Sequence, residues 1–160
     1  MTAYGEIRMT RDIDIVIQLN EENLTRFVET FDHEYYISPD TVRRAGRMRR
    51  MFNIIDQIHG GKIICIIQKD SPVARESFSR RFKVSVLGIE FWTTTKEDLI
   101  VAKLMWASET HSEMQIRDIA NLTESEYDSE YVVKWVAALD LLDIWTEVEQ
   151  WTILRDKTGH

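Results

Sequence analysis

The run of residues 8–19, Arg-Met-Thr-Arg-Asp-Ile-Asp-Ile-Val-Ile-Gln-Leu, constrains the fold of this chain more than any other stretch. Its β-branched residues predict the central strand of a sheet. Because side chains alternate faces along a strand, Asp12 and Asp14 should project on one side and Ile13 and Ile15 on the other. Two carboxylates on one face favour a divalent cation, and a solvated strand end is the alternative for so short a pattern.

Paired carboxylates of this kind suit nucleotidyl transfer. Mg²⁺ prefers oxygen ligands and usually takes one or two carboxylates from the protein, with water and phosphate oxygens completing its shell. Two such ions would neutralise a triphosphate and lower the pKa of an attacking hydroxyl. Asp12 and Asp14 are therefore predicted to be metal ligands, with an NTP as the substrate.

Composition indicates one globular domain. The chain has 160 residues, of which 44% are apolar and 29% charged, and this is enough for a buried core. The apolar runs are far shorter than the roughly 18 residues that a membrane span needs, and the N-terminus lacks a signal-peptide layout. We therefore predict a cytoplasmic protein without a membrane partner. The single cysteine, Cys65, agrees with a reducing compartment.

Charge is distributed unevenly along the chain. The net charge of −7 argues against a broad electrostatic grip on nucleic acid, so a nucleic-acid-binding module is the least favoured function class. A basic cluster nevertheless lies in the first half of the chain, at Arg43, Arg44, Arg47, Arg49 and Arg50. Contact with a phosphate-bearing ligand and a merely solvated face are both open interpretations of this cluster.

Local signals predict an α+β protein with a sheet-containing half, 1–94, and a helical half, 95–160, packed in the same domain. Asn20 is a candidate N-cap for a helix over 21–31, and Ser38 with Pro39 should begin a helix that ends near Met48. A hairpin is expected around Gly60, a second around Gly88, and helices thereafter. The tryptophans of the last helices indicate packing, and any exposed part would suit a homodimer or partner face.

The stretch 4–17, Tyr-Gly-Glu-Ile-Arg-Met-Thr-Arg-Asp-Ile-Asp-Ile-Val-Ile, resembles the signature of minimal nucleotidyltransferases related to the AbiEii toxins of abortive-infection and toxin-antitoxin systems. The resemblance continues through 53–56, 62–64, 97–104 and 117–119. It implies a polymerase-β-like nucleotidyltransferase fold, in which helices flank a mixed sheet. It further implies Mg²⁺-dependent transfer of a nucleotide to a hydroxyl of an RNA, such as tRNA, or of a protein, and a cognate antitoxin as a partner.

The same resemblance assigns roles to residues outside the aspartate pair. Arg8 and Thr10 are expected near the phosphates, and Lys103 is expected to reach a nucleotide phosphate as a catalytic and binding residue. Arg117 is a further candidate for nucleotide binding. Asp118 is expected to orient Arg117 or Lys103 rather than to bind metal. For Lys103, a side chain that extends to water from between apolar neighbours is the competing interpretation.

Two departures from the family pattern favour a second interpretation. A Gly-Gly or Gly-Ser turn that holds the triphosphate would precede Met1, and the pattern places a third carboxylate at Cys65. Magnesium is hard and sulfur is soft, so a thiol there is a poor ligand. The alternative is therefore a catalytically impaired member that binds a nucleotide or a partner. Cys65 itself is expected to be a small buried hydrophobic residue.

Overall fold

The computed structural model describes residues 12–31 and 35–158, and these form an α+β fold as predicted. The elements in chain order are β1 (Asp12–Ile17), α1 (Glu21–Thr30), β2 (Tyr35–Tyr36), α2 (Pro39–Met48), β3 (Met51–Asp56), β4 (Lys62–Ile67), α3 (Pro72–Arg80), β5 (Phe82–Val86), β6 (Ile89–Thr93), α4 (Lys96–Thr110), α5 (Glu113–Thr123), α6 (Ser129–Ala138) and α7 (Leu142–Thr158). Up to residue 158, where the described part of the chain ends, only helices follow β6, as expected for the C-terminal half.

The described residues divide into two compact units, and the division falls within α3, between Arg75 and Glu76. The first unit contains the four-stranded sheet with α1 and α2, and the second contains the β5–β6 ribbon with α4 to α7. The sequence placed a soft boundary near residue 94, whereas the ribbon at 82–93 belongs with the later helices.

The four-stranded sheet has the order β1-β4-β3-β2. Strand β1 pairs parallel with β4, whereas β3 is antiparallel to both β4 and β2. The parallel pair places Asp12 opposite Lys62, Asp14 opposite Ile64 and Ile15 opposite Cys65. Lys62 and Ile64 therefore lie on the same face of the sheet as the two aspartates.

One face of this sheet carries the core of the first unit, and α1 and α2 supply its other wall. Its buried members are Leu24, Val42, Ala45, Phe52, Ile54, Cys65 and Ile67. Ile15 and Ile17 of β1 pack against this cluster, so their side of the strand faces the helices. Asp12 and Asp14 therefore project from the opposite face of the sheet.

The helix starts of the first unit follow from short-range capping. Asn20 accepts a hydrogen bond from the amide of Asn23, and the Asn23 side chain accepts one from the amide of Asn20, each at 2.9 Å. Ser38 accepts from the amide of Thr41, and Pro39 occupies the first turn of α2. Both starts confirm the predictions, because caps depend on neighbours within a few residues.

The hairpin between β3 and β4 is closed by Asp56. Its carboxylate accepts hydrogen bonds from the amides of Ile58 and His59 at 2.8 and 2.9 Å, and it lies 3.0 Å from Nδ1 of His59. The amide of His59, together with these other contacts, lowers the pKa of Asp56. Gly60 has a φ of 71°, in the left-handed region that glycine adopts without strain.

The core of the second unit lies among α4 to α7. Its fully buried side chains include Ile100, Leu104, Ile119, Val132 and Val148. The β5–β6 ribbon exposes several apolar side chains, among them Phe82, Val86, Leu87, Ile89 and Phe91. Within the described residues, neither outer edge of this ribbon pairs with another strand. Across residues 12–31 and 35–158, no helix combines the length and apolar character needed to cross a membrane.

Candidate metal and nucleotide site

Asp12 and Asp14 lie on the open face of β1, and both side chains are exposed to solvent. Lys62, directly across from Asp12 on β4, brings its Nζ to 3.1 Å from the Asp12 carboxylate. This ion pair is itself partly exposed, with 38% of the Lys62 side chain and 44% of the Asp12 side chain accessible. The predicted pair of carboxylates is therefore present on one accessible face, with a lysine as an internal competitor for a cation.

The family pattern places a third carboxylate at Cys65, but the register shows that Cys65 does not lie on the face of the aspartates. Cys65 lies opposite Ile15, is fully buried and belongs to the core on the helix-covered face. The residue beside Asp14 on the aspartate face is Ile64. The expectation that Cys65 is a small buried hydrophobic residue is confirmed, and burial raises the pKa of its thiol to about 11.

Two other acids of the first unit, Asp56 and Asp70, have structural roles. Asp56 closes the β3–β4 turn through the amides of Ile58 and His59. Asp70 forms an ion pair with Arg75, and both side chains are largely exposed. Across the described part of the chain, no group of three histidine, cysteine or acidic side chains is arranged to hold a metal ion.

The donor set of the open face fits a hard divalent cation. Asp12 and Asp14 offer carboxylate oxygens from alternate positions of one strand, and Mg²⁺ needs no more than one or two such ligands from a protein. Lys62 reduces this fit because its ammonium lies at the Asp12 carboxylate. Asp12 and Asp14 therefore offer two carboxylate groups on this face, and the Lys62 ammonium would compete with a cation at Asp12.

Lys103 forms a polar cluster within the second unit. Its Nζ donates hydrogen bonds to Oε1 of Gln115 at 3.0 Å and to Oδ2 of Asp118 at 2.9 Å. Only 22% of the Lys103 side chain and 18% of the Asp118 side chain are exposed. The expected contact of Asp118 with Lys103 is thus observed, and Lys103 has an ionic partner rather than extending alone to water. The roles of Lys103 and Arg117 at a phosphate stay predictions, and Arg8 and Thr10 lie outside the described residues.

Sequence reasoning missed a buried network centred on Asp98. The Asp98 carboxylate accepts hydrogen bonds from the hydroxyl of Tyr131 at 2.6 Å, Nε of Arg80 at 3.0 Å and the hydroxyl of Thr95 at 2.5 Å. The Asp98 side chain is fully buried, and the Arg80 guanidinium lies 3.8 Å from the centre of the Tyr131 ring. Three partners satisfy this carboxylate, so the network is structural.

Burial and the charge of Asp98 shift the pKa values of two of its partners, Tyr131 and Arg80. Burial, followed by the hydrogen bond to Asp98, raises the pKa of the Tyr131 hydroxyl. For Arg80, burial acts to lower the pKa, but the hydrogen bond to Asp98 and the nearby negative charges leave it raised. The local sequence shows only the capping pattern of Thr95 followed three residues later by Asp98, because the other two partners of Asp98 lie 18 and 33 residues away.

Lys96 is a second buried charge that the sequence did not indicate. Its Nζ donates to the carbonyl and hydroxyl oxygens of Ser125 at 2.7 and 2.6 Å and to the carbonyl of Glu126 at 3.1 Å. These three acceptors tie the start of α4 to the turn before α6. The buried Lys96 ammonium is therefore fully hydrogen-bonded and stabilises the loop between α5 and α6.

Comparison with models of known protein families gives no match to this sequence. Comparison with curated proteins likewise finds no similar sequence. The inference about function consequently depends on the arrangement of the side chains.

Proposed function

We propose that the chain is a nucleotidyltransferase-like protein that binds a Mg²⁺–NTP complex through Asp12 and Asp14. The observation that carries this proposal is the placement of both carboxylates on the open face of β1, opposite the helix-covered core. Mg²⁺ bound there would neutralise the triphosphate and lower the pKa of the acceptor hydroxyl. The acceptor is a hydroxyl of an RNA, such as tRNA, or of a protein.

The reaction proposed is in-line attack of the acceptor hydroxyl on the α-phosphate. The new phosphodiester bond forms as the bond to the β-phosphate breaks, and pyrophosphate leaves. Positioning and charge neutralisation supply most of the rate enhancement in reactions of this kind. From the resemblance, Lys103 and Arg117 are proposed to contribute phosphate contacts, with Asp118 orienting Lys103.

A second candidate function is nucleotide binding with little or no transfer. Two observations favour it. The residue opposite Asp14 on β4 is Ile64 rather than an acid, and Lys62 forms an ion pair with Asp12. A third carboxylate would assist deprotonation of the acceptor, so its absence should reduce turnover more than binding. Such a member would sense a nucleotide or present a surface to a partner.

Transfer of label from α-labelled NTPs to tRNA and to total protein separates the two candidates. An enzyme gives incorporation that requires Mg²⁺ and is lost in Asp12→Asn and in Asp14→Asn. Asp70→Asn is the matched control, because Asp70 is an exposed, ion-paired acid of the same unit that follows the end of β4. A binder gives no incorporation, but Mg²⁺–NTP raises the melting temperature of the wild type and not of the Asp12 or Asp14 variants.

The proposal is abandoned if NTPs neither label an acceptor nor stabilise the protein in the presence of Mg²⁺. From the resemblance, we further propose that the chain acts as a toxin, and growth after induced expression is the measurement of that role. Arrest of growth that Asp12→Asn relieves and Asp70→Asn retains would support a toxin that acts through the aspartate pair. Equal arrest by both variants would exclude that mechanism.

A further inference from the structure

A groove lined by arginines lies between α1 and α2, in the unit that also contains the sheet. It holds an open cavity of about 460 Å³, and a second, more open cavity of about 440 Å³ lies along α2. The two cavities share Arg43 and Arg47, while Arg49 lines the first and Arg44 the second. Four arginines therefore line these two neighbouring depressions.

The arginines of this groove have weak anionic partners. Arg43 pairs with Asp40 at 2.9 Å, and Arg47 lies 3.4 Å from the carboxylate of Glu21. The Asp40 and Glu21 side chains are 86% and 80% exposed. Exposed ion pairs of this kind contribute little stability, so a ligand with stronger negative charge can replace the carboxylates.

The geometry of α2 spaces the positive charges regularly. Arg43 and Arg47 are one helical turn apart, about 6 Å along the axis, and lie on the same face. Arg49 ends the helix with a φ of 47°, and its guanidinium donates to the carbonyl of Gln68 at 2.9 Å. A row of positive charges fits a row of phosphates better than it fits a single anion.

The groove is separate from the aspartate pair. Asp12 begins β1, whereas Leu19 and Asn20, which line the groove, follow the end of that strand. Six residues of strand extend about 17 Å between their first and last Cα atoms. The phosphates of an NTP held at Asp12 would therefore not reach the groove, and a phosphate-bearing ligand bound there would be a second group.

We propose that the α1–α2 groove binds the phosphodiester backbone of a single nucleic-acid strand through Arg43, Arg44, Arg47 and Arg49. A single strand is favoured over a duplex because the basic surface is confined to one groove on a chain whose net charge is −7. This site goes beyond the proposed function, since it needs neither Mg²⁺ nor the aspartates. It would supply the place at which an acceptor strand is held.

Fluorescence anisotropy with a labelled, mixed-sequence RNA strand of about 12 nucleotides tests the proposal. The titration is done in EDTA at several salt concentrations. The double variant Arg43→Gln/Arg47→Gln should bind at least about tenfold more weakly at low salt, and its salt slope should fall by roughly 1.4. Arg75→Gln is the matched control, because Arg75 is an exposed arginine paired with an exposed aspartate in the same unit.

A second variant guards against a loss of binding that reflects misfolding. Arg49→Gly removes a groove guanidinium and places glycine at a left-handed position that favours it, so the fold should be kept. It should weaken RNA binding several-fold with an unchanged circular dichroism spectrum. The Asp12→Asn/Asp14→Asn variant should bind the strand like the wild type, which keeps this test independent of the proposed function.

Three results would overturn the proposal. One is equal affinity for RNA in the wild type and in Arg43→Gln/Arg47→Gln. Another is an equal loss in Arg75→Gln, which would mean that only total charge matters. The third is displacement of the strand by inorganic phosphate or ATP at concentrations near the strand's own Kd, which would assign the groove to a small phosphate ligand.

Discussion

Ile64 of β4 lies directly opposite Asp14 of β1, on the face of the sheet that also carries Asp12. The neighbouring position, Cys65, belongs to the other face and is fully buried among core side chains. One step along β4 therefore separates a position that could complete a trio of acids from one that cannot.

Restoring a third acid at Ile64 should strengthen metal binding. Ile64→Asp adds a carboxylate about 5 Å from Asp14 across the parallel pair, so we expect Mg²⁺ affinity to rise on the order of tenfold by isothermal titration calorimetry. Cys65→Asp is the matched control, because it places the same group in the core. It should lose about 3 kcal/mol of unfolding free energy without gaining affinity. Tighter Mg²⁺ binding by Cys65→Asp than by Ile64→Asp would show that the register assigned to β4 is wrong.

Removing Lys62 should relieve competition at Asp12. Lys62→Gln deletes the ammonium 3.1 Å from the Asp12 carboxylate, and we expect Mg²⁺ to bind roughly threefold more tightly. The pair is partly exposed, so the unfolding free energy should change by less than about 1 kcal/mol. Lys69→Gln, at an exposed position just after β4, removes the same charge and should leave affinity unchanged. A weaker Mg²⁺ affinity in Lys62→Gln than in Lys69→Gln would count against a cation site at Asp12.

The Asp98 network should dominate the stability of the second unit. Asp98→Ala leaves Tyr131 and Arg80 without their acceptor, and we expect a loss of about 3 kcal/mol in urea unfolding followed by tryptophan fluorescence. Tyr131→Phe deletes one hydroxyl and should lose about 1 kcal/mol. The double variant should lose less than the sum of the two losses, because both changes break the same hydrogen bond. Strict additivity would mean that the hydroxyl and the carboxylate do not act together.

The thiol of Cys65 should report on unfolding. Burial raises its pKa from the ordinary value of 9.0 to about 11, so the folded state keeps the proton at pH values where the unfolded state loses it. This contribution to stability is fully present below pH 9 and is lost as the pH rises toward 11. The pH dependence of unfolding should therefore be steeper in the wild type than in Cys65→Ala over that range.

The same burial makes the thiol slow to react. At pH 8 a thiol reagent should modify the folded protein on the order of 100-fold more slowly than the urea-unfolded chain. Rapid modification of the folded protein, with its circular dichroism spectrum retained, would show that the core around Cys65 opens readily.

Short-range signals allowed much of the fold to be predicted. The starts of α1 and α2 depend on Asn20 and on Ser38 with Pro39, and the β3–β4 hairpin depends on Gly60 and Gly61. Each of these features is decided by residues within a few positions of one another. Strand β2 has only two residues, and no periodic pattern of that length could have revealed it.

The long-range features of the sites could not be predicted in the same way. The pairing of β1 with β4 joins residues that are 50 positions apart, so neither the Lys62–Asp12 pair nor the position of Ile64 was accessible from local pattern. A shift of one residue along β4 exchanges its two faces, which explains why Cys65 was aligned with the aspartates. Local pattern shows Asp98 only as part of the cap of α4, because Arg80 and Tyr131 approach it from other elements.

The β5–β6 ribbon has a practical consequence for handling the protein. Its tip residue Leu87 is 98% exposed, and Phe91 and Trp92 of β6 are about half exposed at 46% and 55%. Unpaired strand edges that are flanked by exposed apolar side chains can pair with other molecules and cause aggregation in concentrated samples. Leu87→Lys and Ile89→Thr would be the first substitutions to introduce when preparing crystals or NMR samples.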